Sequence, residues 1–149
     1  MDKLFVKNEI RINASTNKVW DALVNPDQTE RYMFGCRTVS DWNVGSPLLW
    51  RGKYEGKEMD FVTGFILEIV PERFLKYSVI DPYATYPITP ENHLVVTYQI
   101  EALGDESLLT VIQDGFETAA EGMKRYQDVY NKGEGWMPIL VAIKSILEE

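Results

Sequence analysis

A chain of 149 residues with 45% hydrophobic side chains is long enough to bury a sizeable core, and with no linker-like break in composition it reads as one domain over residues 1–149. Its 23 acidic against 15 basic side chains leave a net charge of −8, which works against nucleic-acid phosphates and anionic membrane surfaces as partners. The single Cys36 rules out an intrachain disulfide framework, no apolar run approaches the ~20 residues of a membrane helix, and no secretory leader pattern opens the sequence, so the expectation is a cytoplasmic protein without membrane insertion.

Leu4, Val6, Ile10 and Ile12 alternate as a first strand that ends at Asn13-Ala14-Ser15, with Ser15 as the N-cap of a short helix marked by Val19, Trp20 and Leu23. Asn25-Pro26-Asp27 ends that helix and starts another through Tyr32, Met33 and Phe34. Strands follow around Trp42 and from Leu48 to Tyr54. The turns at Gly45-Ser46-Pro47 and Glu55-Gly56 lie so close together that neighbouring strands must pair. Two-residue alternation puts Leu48, Trp50 and Tyr54 on one side, an aromatic face that needs a cover.

A longer strand is expected from Lys57 to Val70. Met59, Phe61, Thr63, Phe65, Leu67 and Ile69 share one parity and Glu58, Asp60 and Glu68 the other, with Gly64 as a bulge or bend. Leu75, Tyr77 and Val79 continue the pattern. A loop from Asp81 to Asn92 carries three prolines and has the length of a functional lid or entrance. Leu94, Val96, Tyr98 and Ile100 form the next inward face, and the turn at Gly104-Asp105 leads to Leu109, Val111 and Gln113, completing seven strands. From Thr118 to Tyr130 the pattern is helical, interrupted near Gly133 and Gly135. Trp136, Leu140, Ile143 and Leu147 then form one apolar stripe, and Pro138, tolerated only in a first turn, starts that last helix near residues 134–137. The fold class is α+β: two short helices after the first strand, a curved antiparallel meander, and a C-terminal helix on one face of the sheet.

Several runs carry a family resemblance: Ser40-Asp41-Trp42-Asn43-Val44-Gly45-Ser46, Trp50-Arg51-Gly52, Gly64 with Glu68, Thr89-Pro90-Glu91-Asn92, Val96-Thr97-Tyr98, Gln113-Asp114 and the helix from Trp136 to Leu147. Together they resemble the activator of heat-shock-protein-90 ATPase homology family. That family belongs to the SRPBCC superfamily of lipid-transfer (START-related), birch-pollen-allergen-like and polyketide-cyclase-like proteins. The resemblance implies a helix-grip fold with a cavity between the sheet and the C-terminal helix. The eukaryotic co-chaperones of the family carry a further domain that this chain is expected to lack. The segment Met123 to Tyr130 is extra, and is expected to narrow or cap the cavity.

The residues expected to line a ligand site are Phe34, Trp50, Tyr54, Met59, Tyr77, Tyr98, Gln113, Phe116, Trp136 and Leu140, with Phe34 and the loop from Asp81 to Asn92 at the entrance. Aromatic side chains dominate ordinary cores, but inward tyrosine hydroxyls need partners that a solid core seldom offers. Gln113 either orients a ligand carbonyl or hydroxyl or satisfies a neighbouring tyrosine, and both roles stay open. His93 is the lone imidazole, and its parity with Thr97, Gln99 and Glu101 points it to the solvent side or a loop edge. Cys36 has no adjacent base. The carboxylates lack metal-motif spacing, so no metal and no cofactor are expected. Asp41, Glu58, Asp60, Asp81 and Asp114 read as solvated outer charges.

Three functions follow. The first is a binder of a small hydrophobic molecule that is lipid, sterol or polyketide-like. The second is a stress-response module acting on a chaperone. The third is a cyclase, isomerase or hydrolase that uses a pocket carboxylate or tyrosine. A homodimer through a free strand edge or Trp42 is also open.

Overall fold

A computed structural model describes residues 3–149. Strand β1 (Phe5–Ile12) leads into helices α1 (Thr16–Val24) and α2 (Pro26–Tyr32). Six strands follow: β2 (Arg37–Ser40), β3 (Pro47–Tyr54), β4 (Lys57–Val70), β5 (Phe74–Val79), β6 (Leu94–Leu103) and β7 (Glu106–Asp114). Helices α3 (Gly122–Tyr130) and α4 (Met137–Leu147) complete the order, with 3₁₀ turns at Pro90–Asn92, Phe116–Thr118 and Asn131–Gly133. The architecture is the helix-grip fold: one antiparallel sheet in the order β1-β7-β6-β5-β4-β3-β2, with helices on its concave side.

Local chemistry accounts for the joints. Asn25 ends α1 and also caps α2, its side-chain oxygen accepting from the Asp27 N–H at 3.0 Å, while Pro26 takes the first helical turn. Glu55 and Gly56 both have positive φ (51° and 79°), the two-residue turn that matches strand twist, and Tyr54 pairs with Lys57 across it. In α4 Leu140 and Ile143 are buried against the sheet and α1, as the apolar stripe requires.

Four expectations need correction. Strand β2 stops at Ser40; Trp42 lies in the connection to β3 with φ 59° and packs half-buried against the core, so it is neither a strand residue nor a free surface aromatic. The helical stretch expected from Thr118 starts at Gly122, after a 3₁₀ turn. The parity of β4 is not uniform. Phe61 is an extra residue between the pairs Trp50↔Val62 and Arg51↔Asp60, and Leu67 is extra between Ile66↔Tyr77 and Glu68↔Lys76. Each bulge swaps the faces, so Val62, Gly64 and Ile66 point inward while Phe65 and Leu67 are exposed on the convex side. Gly64 is therefore not the bulge itself. It marks a close approach between strands: a Cβ there would lie 1.7 Å from the Ser78 carbonyl oxygen.

Candidate functional site

The concave face of the sheet and the N-terminal end of α4 enclose a cavity of about 570 Å³ with mainly apolar walls. Its floor is a row of residues in register across three strands: Tyr77 on β5 pairs with Val96 on β6, which pairs with Gln113 on β7. Trp50 and Val62 extend the floor onto β3 and β4, while Trp136 and Ile139 close it from α4. Asp128, Val129 and Asn131, at the C-terminal end of α3, form part of the remaining wall.

The floor is held by a chain of aromatic and polar contacts. The rings of Tyr77 and Tyr98 meet edge to face at 5.5 Å, and those of Tyr98 and Trp136 at 6.1 Å. The hydroxyls of Tyr77 and Tyr98 are 2.7 Å apart and hydrogen-bonded. The indole N–H of Trp136 donates to the Gln113 side-chain oxygen at 2.9 Å, and its backbone N–H donates to Asn8 Oδ1 at 2.9 Å, which fixes the entry of α4 against β1. Burial pushes the Tyr77 and Tyr98 phenols well above the ordinary tyrosine range, so both stay protonated near neutral pH and act as donors rather than bases.

Of the ten expected lining residues the cavity gathers Phe34, Trp50, Tyr77, Gln113 and Trp136, with Phe34 88% exposed at the mouth. Tyr98 and Leu140 sit one layer behind, inside the core. Phe116 is buried elsewhere, edge-on to Tyr126 at 5.3 Å. Tyr54 and Met59 are off the wall. Inward alternation runs through Leu48, Trp50 and Gly52, but near the hairpin tip nothing covers the sheet, leaving Tyr54 60% exposed. The loop from Asp81 to Asn92 contributes no lining residue. It is tied instead to the approach of α3: Asn92 Oδ1 accepts from the Ala120 N–H at 2.9 Å, and Arg125 donates to the Asn92 carbonyl at 2.8 Å while lying 4.8 Å from the Tyr86 ring centroid.

Residue-type reasoning missed Met33, Cys36, Lys53, Phe61, Val62, Val79 and Val96, among others on the wall. Val79 and Val96 share parity with Tyr77 and Tyr98 and were legible as inward; Val62 was hidden by the bulge at Phe61. Cys36 is buried with its thiol pushed up by desolvation, the opposite of a reactive thiolate. His93 is a loop-edge residue, its ring Nδ1–H donating to the Thr89 carbonyl at 2.7 Å. Asp60 pairs with Arg51 at 2.8 Å and Asp114 with Lys3 at 3.1 Å, both away from the cavity lining; the exposed Asp128 is the one carboxylate on that lining among the described residues. A second hollow of about 690 Å³ lies outside, beside β2 and β3. Its arginines are already matched, Arg37 to Asp27 and Glu30, and Arg51 to Asp60, so it is a solvated charged face. Among the described residues no group of three His, Cys, Asp or Glu side chains could hold a metal ion, and no helix is long and apolar enough to cross a membrane.

Comparison with known proteins places the fold in context. The family described as activator of Hsp90 ATPase homolog 1-like protein matches residues 13–148. The solution structure of ChR145 from Cytophaga hutchinsonii is 36% identical, with a TM-score of 0.73 over 99% of this chain and 97% of that one. The Aha1 dimer from Colwellia psychrerythraea (16% identical, TM-score 0.69, covering 97% and 96%) and CalU16 from Micromonospora echinospora (19%, 0.66, 98% and 85%) share the fold. No curated protein matches the chain.

Proposed function

We propose that this chain, which belongs to the family of activator of Hsp90 ATPase homolog 1-like proteins, is a binding protein that holds a small, largely apolar molecule between its sheet and α4. The observation that carries the reading is the cavity itself. At about 570 Å³ it falls in the ~300–1,000 Å³ range of small-molecule sites, and it has their composition, aromatic and aliphatic walls with few polar groups. Proton-transfer chemistry finds less support, because the buried phenols are held protonated and the lining carboxylate is exposed. The test is titration with a fatty acid, a sterol and an aromatic polyketide, following fluorescence from Trp50 and Trp136, which line the cavity. A saturable response that is lost in Val96→Phe, where the floor grows into the space, is expected. No response to any of the three overturns the reading.

A co-chaperone role rests on a different surface, the convex side of β4, where Phe65 and Leu67 stand exposed. A heat-shock-protein-90 ATPase rate left unchanged by added protein counts against it.

A further inference from the structure

The polar groups of the cavity separate into donors and acceptors. An indole N–H has only a proton to give, so the Gln113 atom that meets Trp136 is the amide oxygen. The amide NH₂ is thereby the free end of a side chain that is 6% exposed and set in the cavity wall, and among the described residues nothing accepts from it. Tyr77 and Tyr98 supply a second donor. Their two hydroxyls share one hydrogen bond, so one proton is left over. Tyr77 lines the cavity and Tyr98 does not. With Tyr98 donating to Tyr77, the spare O–H belongs to the one of the pair that lines the cavity; the reverse arrangement leaves it on Tyr98, inside the core, at the full desolvation cost. Tyr77 and Gln113 flank Val96 in one cross-strand row, their Cα atoms about 10 Å apart, so both donors serve the same inner space. Lys53 and Asp128, the charged residues of the lining, are both exposed at its rim.

We propose, resting on the reading of the cavity as a ligand site, that its inner wall selects neutral molecules whose apolar skeleton carries a carbonyl oxygen, held by the Gln113 amide N–H and the Tyr77 hydroxyl. A hydrocarbon of the same shape leaves both donors bare. An alcohol must also find an acceptor for a proton of its own, and the oxygens of the inner wall, Gln113 Oε1 and Tyr77 Oη, each already take part in one hydrogen bond, to Trp136 and Tyr98. A carboxylate needs a cation that the inner wall does not offer.

The experiment uses three molecules of one skeleton, benzophenone, diphenylmethanol and diphenylmethane, with affinities measured by calorimetry on the intact protein. Benzophenone is expected to bind about fivefold or more tightly than either of the others, the worth of one good neutral hydrogen bond. Its carbonyl stretch is expected at a lower frequency when bound than in hexane. Tyr77→Phe and Gln113→Leu should each lower the ratio of ketone to hydrocarbon affinity by about fivefold, the worth of the donor removed. If the three molecules bind equally, or the bound stretch keeps its hexane value, the carbonyl assignment is overturned and the cavity reading stands. If none binds, both fall. The infrared readout needs no variant, so a Gln113→Leu protein that misfolds through loss of its Trp136 contact does not spoil the test.

Discussion

The sheet side of the cavity is built from side chains that are also core, Tyr77 and Val96 among them, whereas α3, which closes the opposite side, has no buried residue. The floor is locked by ladders on both flanks of β5, β6 and β7 and by the aromatic chain from Trp50 through Tyr77 and Tyr98 to Trp136. The cap hangs between joints in the left-handed region, Glu121 (φ 51°) before it and Asn131 and Lys132 (φ 50° and 55°) after it. Such joints in non-glycine residues cost about 1 kcal/mol or more each and persist only where surrounding contacts hold them. The floor should therefore keep its shape with or without an occupant. The cap should be the part that opens, because local opening draws on segments with few buried apolar contacts.

The sharpest way to break that contrast is to truncate one residue on each side. Leu140→Ala removes a fully buried side chain between α4 and the sheet, and should cost about 3 kcal/mol in denaturant unfolding. Val129→Ala trims a half-buried residue of α3 and should cost less than about 1 kcal/mol. Equal costs mean the cap is as much core as the floor, and the contrast is wrong.

Alkaline titration tests the core side of that contrast with a smaller effect. Burial raises the phenols of Tyr32, Tyr77 and Tyr98, all on the core side, above the ordinary value of 10.0. Each raised phenol binds its proton more tightly in the folded state than in the unfolded one. Its stabilisation is thus complete below the unfolded value and declines as pH rises through 10 and beyond, by at most about 1.4 kcal/mol per pH unit per tyrosine. Unfolding free energy measured from pH 9 to 11 should fall. The fall should flatten in Tyr77→Phe and in Tyr98→Phe; an unchanged slope in both means burial does not hold their protons.

The same division governs how much was legible in the sequence. The alternation of β5, β6 and β7 and the stripe of α4 are periodic because one face of each is buried, and so Tyr77, Gln113 and Trp136 could be placed on the cavity side from spacing alone. In β4 the period is broken twice by single extra residues, and a bulge leaves no reliable mark in residue type; Phe65 and Leu67 look as inward as Val62 and Ile66 until the pairing is known. Tyr54 shows a second limit: alternation tells which face a side chain occupies, not whether a helix reaches far enough to cover it. The helix of the cap was read from pattern within the stretch from Thr118 to Tyr130, and its expected place over the cavity came from the segment Met123 to Tyr130 being extra to the family pattern, not from any buried stripe, since α3 has no buried residue. The loop from Asp81 to Asn92 was given a role at the entrance because of its length and prolines. Its place behind α3 depends on two side chains, Asn92 and Arg125, whose long-range partners no local pattern reveals.

Those two side chains make the last test, the smallest in free energy and the most specific to the cap. Arg125 donates to the carbonyls of Asn92 and Ala120 and lies over Tyr86, so it fastens α3 to the preceding loop at one point. Arg125→Ala should lower global stability by only about 1 kcal/mol, because a partly exposed hydrogen-bonded cation contributes little to the core. Its effect on the cap should be larger in proportion, because α3 has few other ties. Chymotrypsin should cut at Tyr126 and Tyr130 several-fold faster in the variant while the strands of the floor stay intact, roughly the change expected when a segment's opening free energy drops by about 1 kcal/mol. If cleavage accelerates equally throughout the chain, the cap does not open on its own; if it does not accelerate at all, Arg125 is not what holds it.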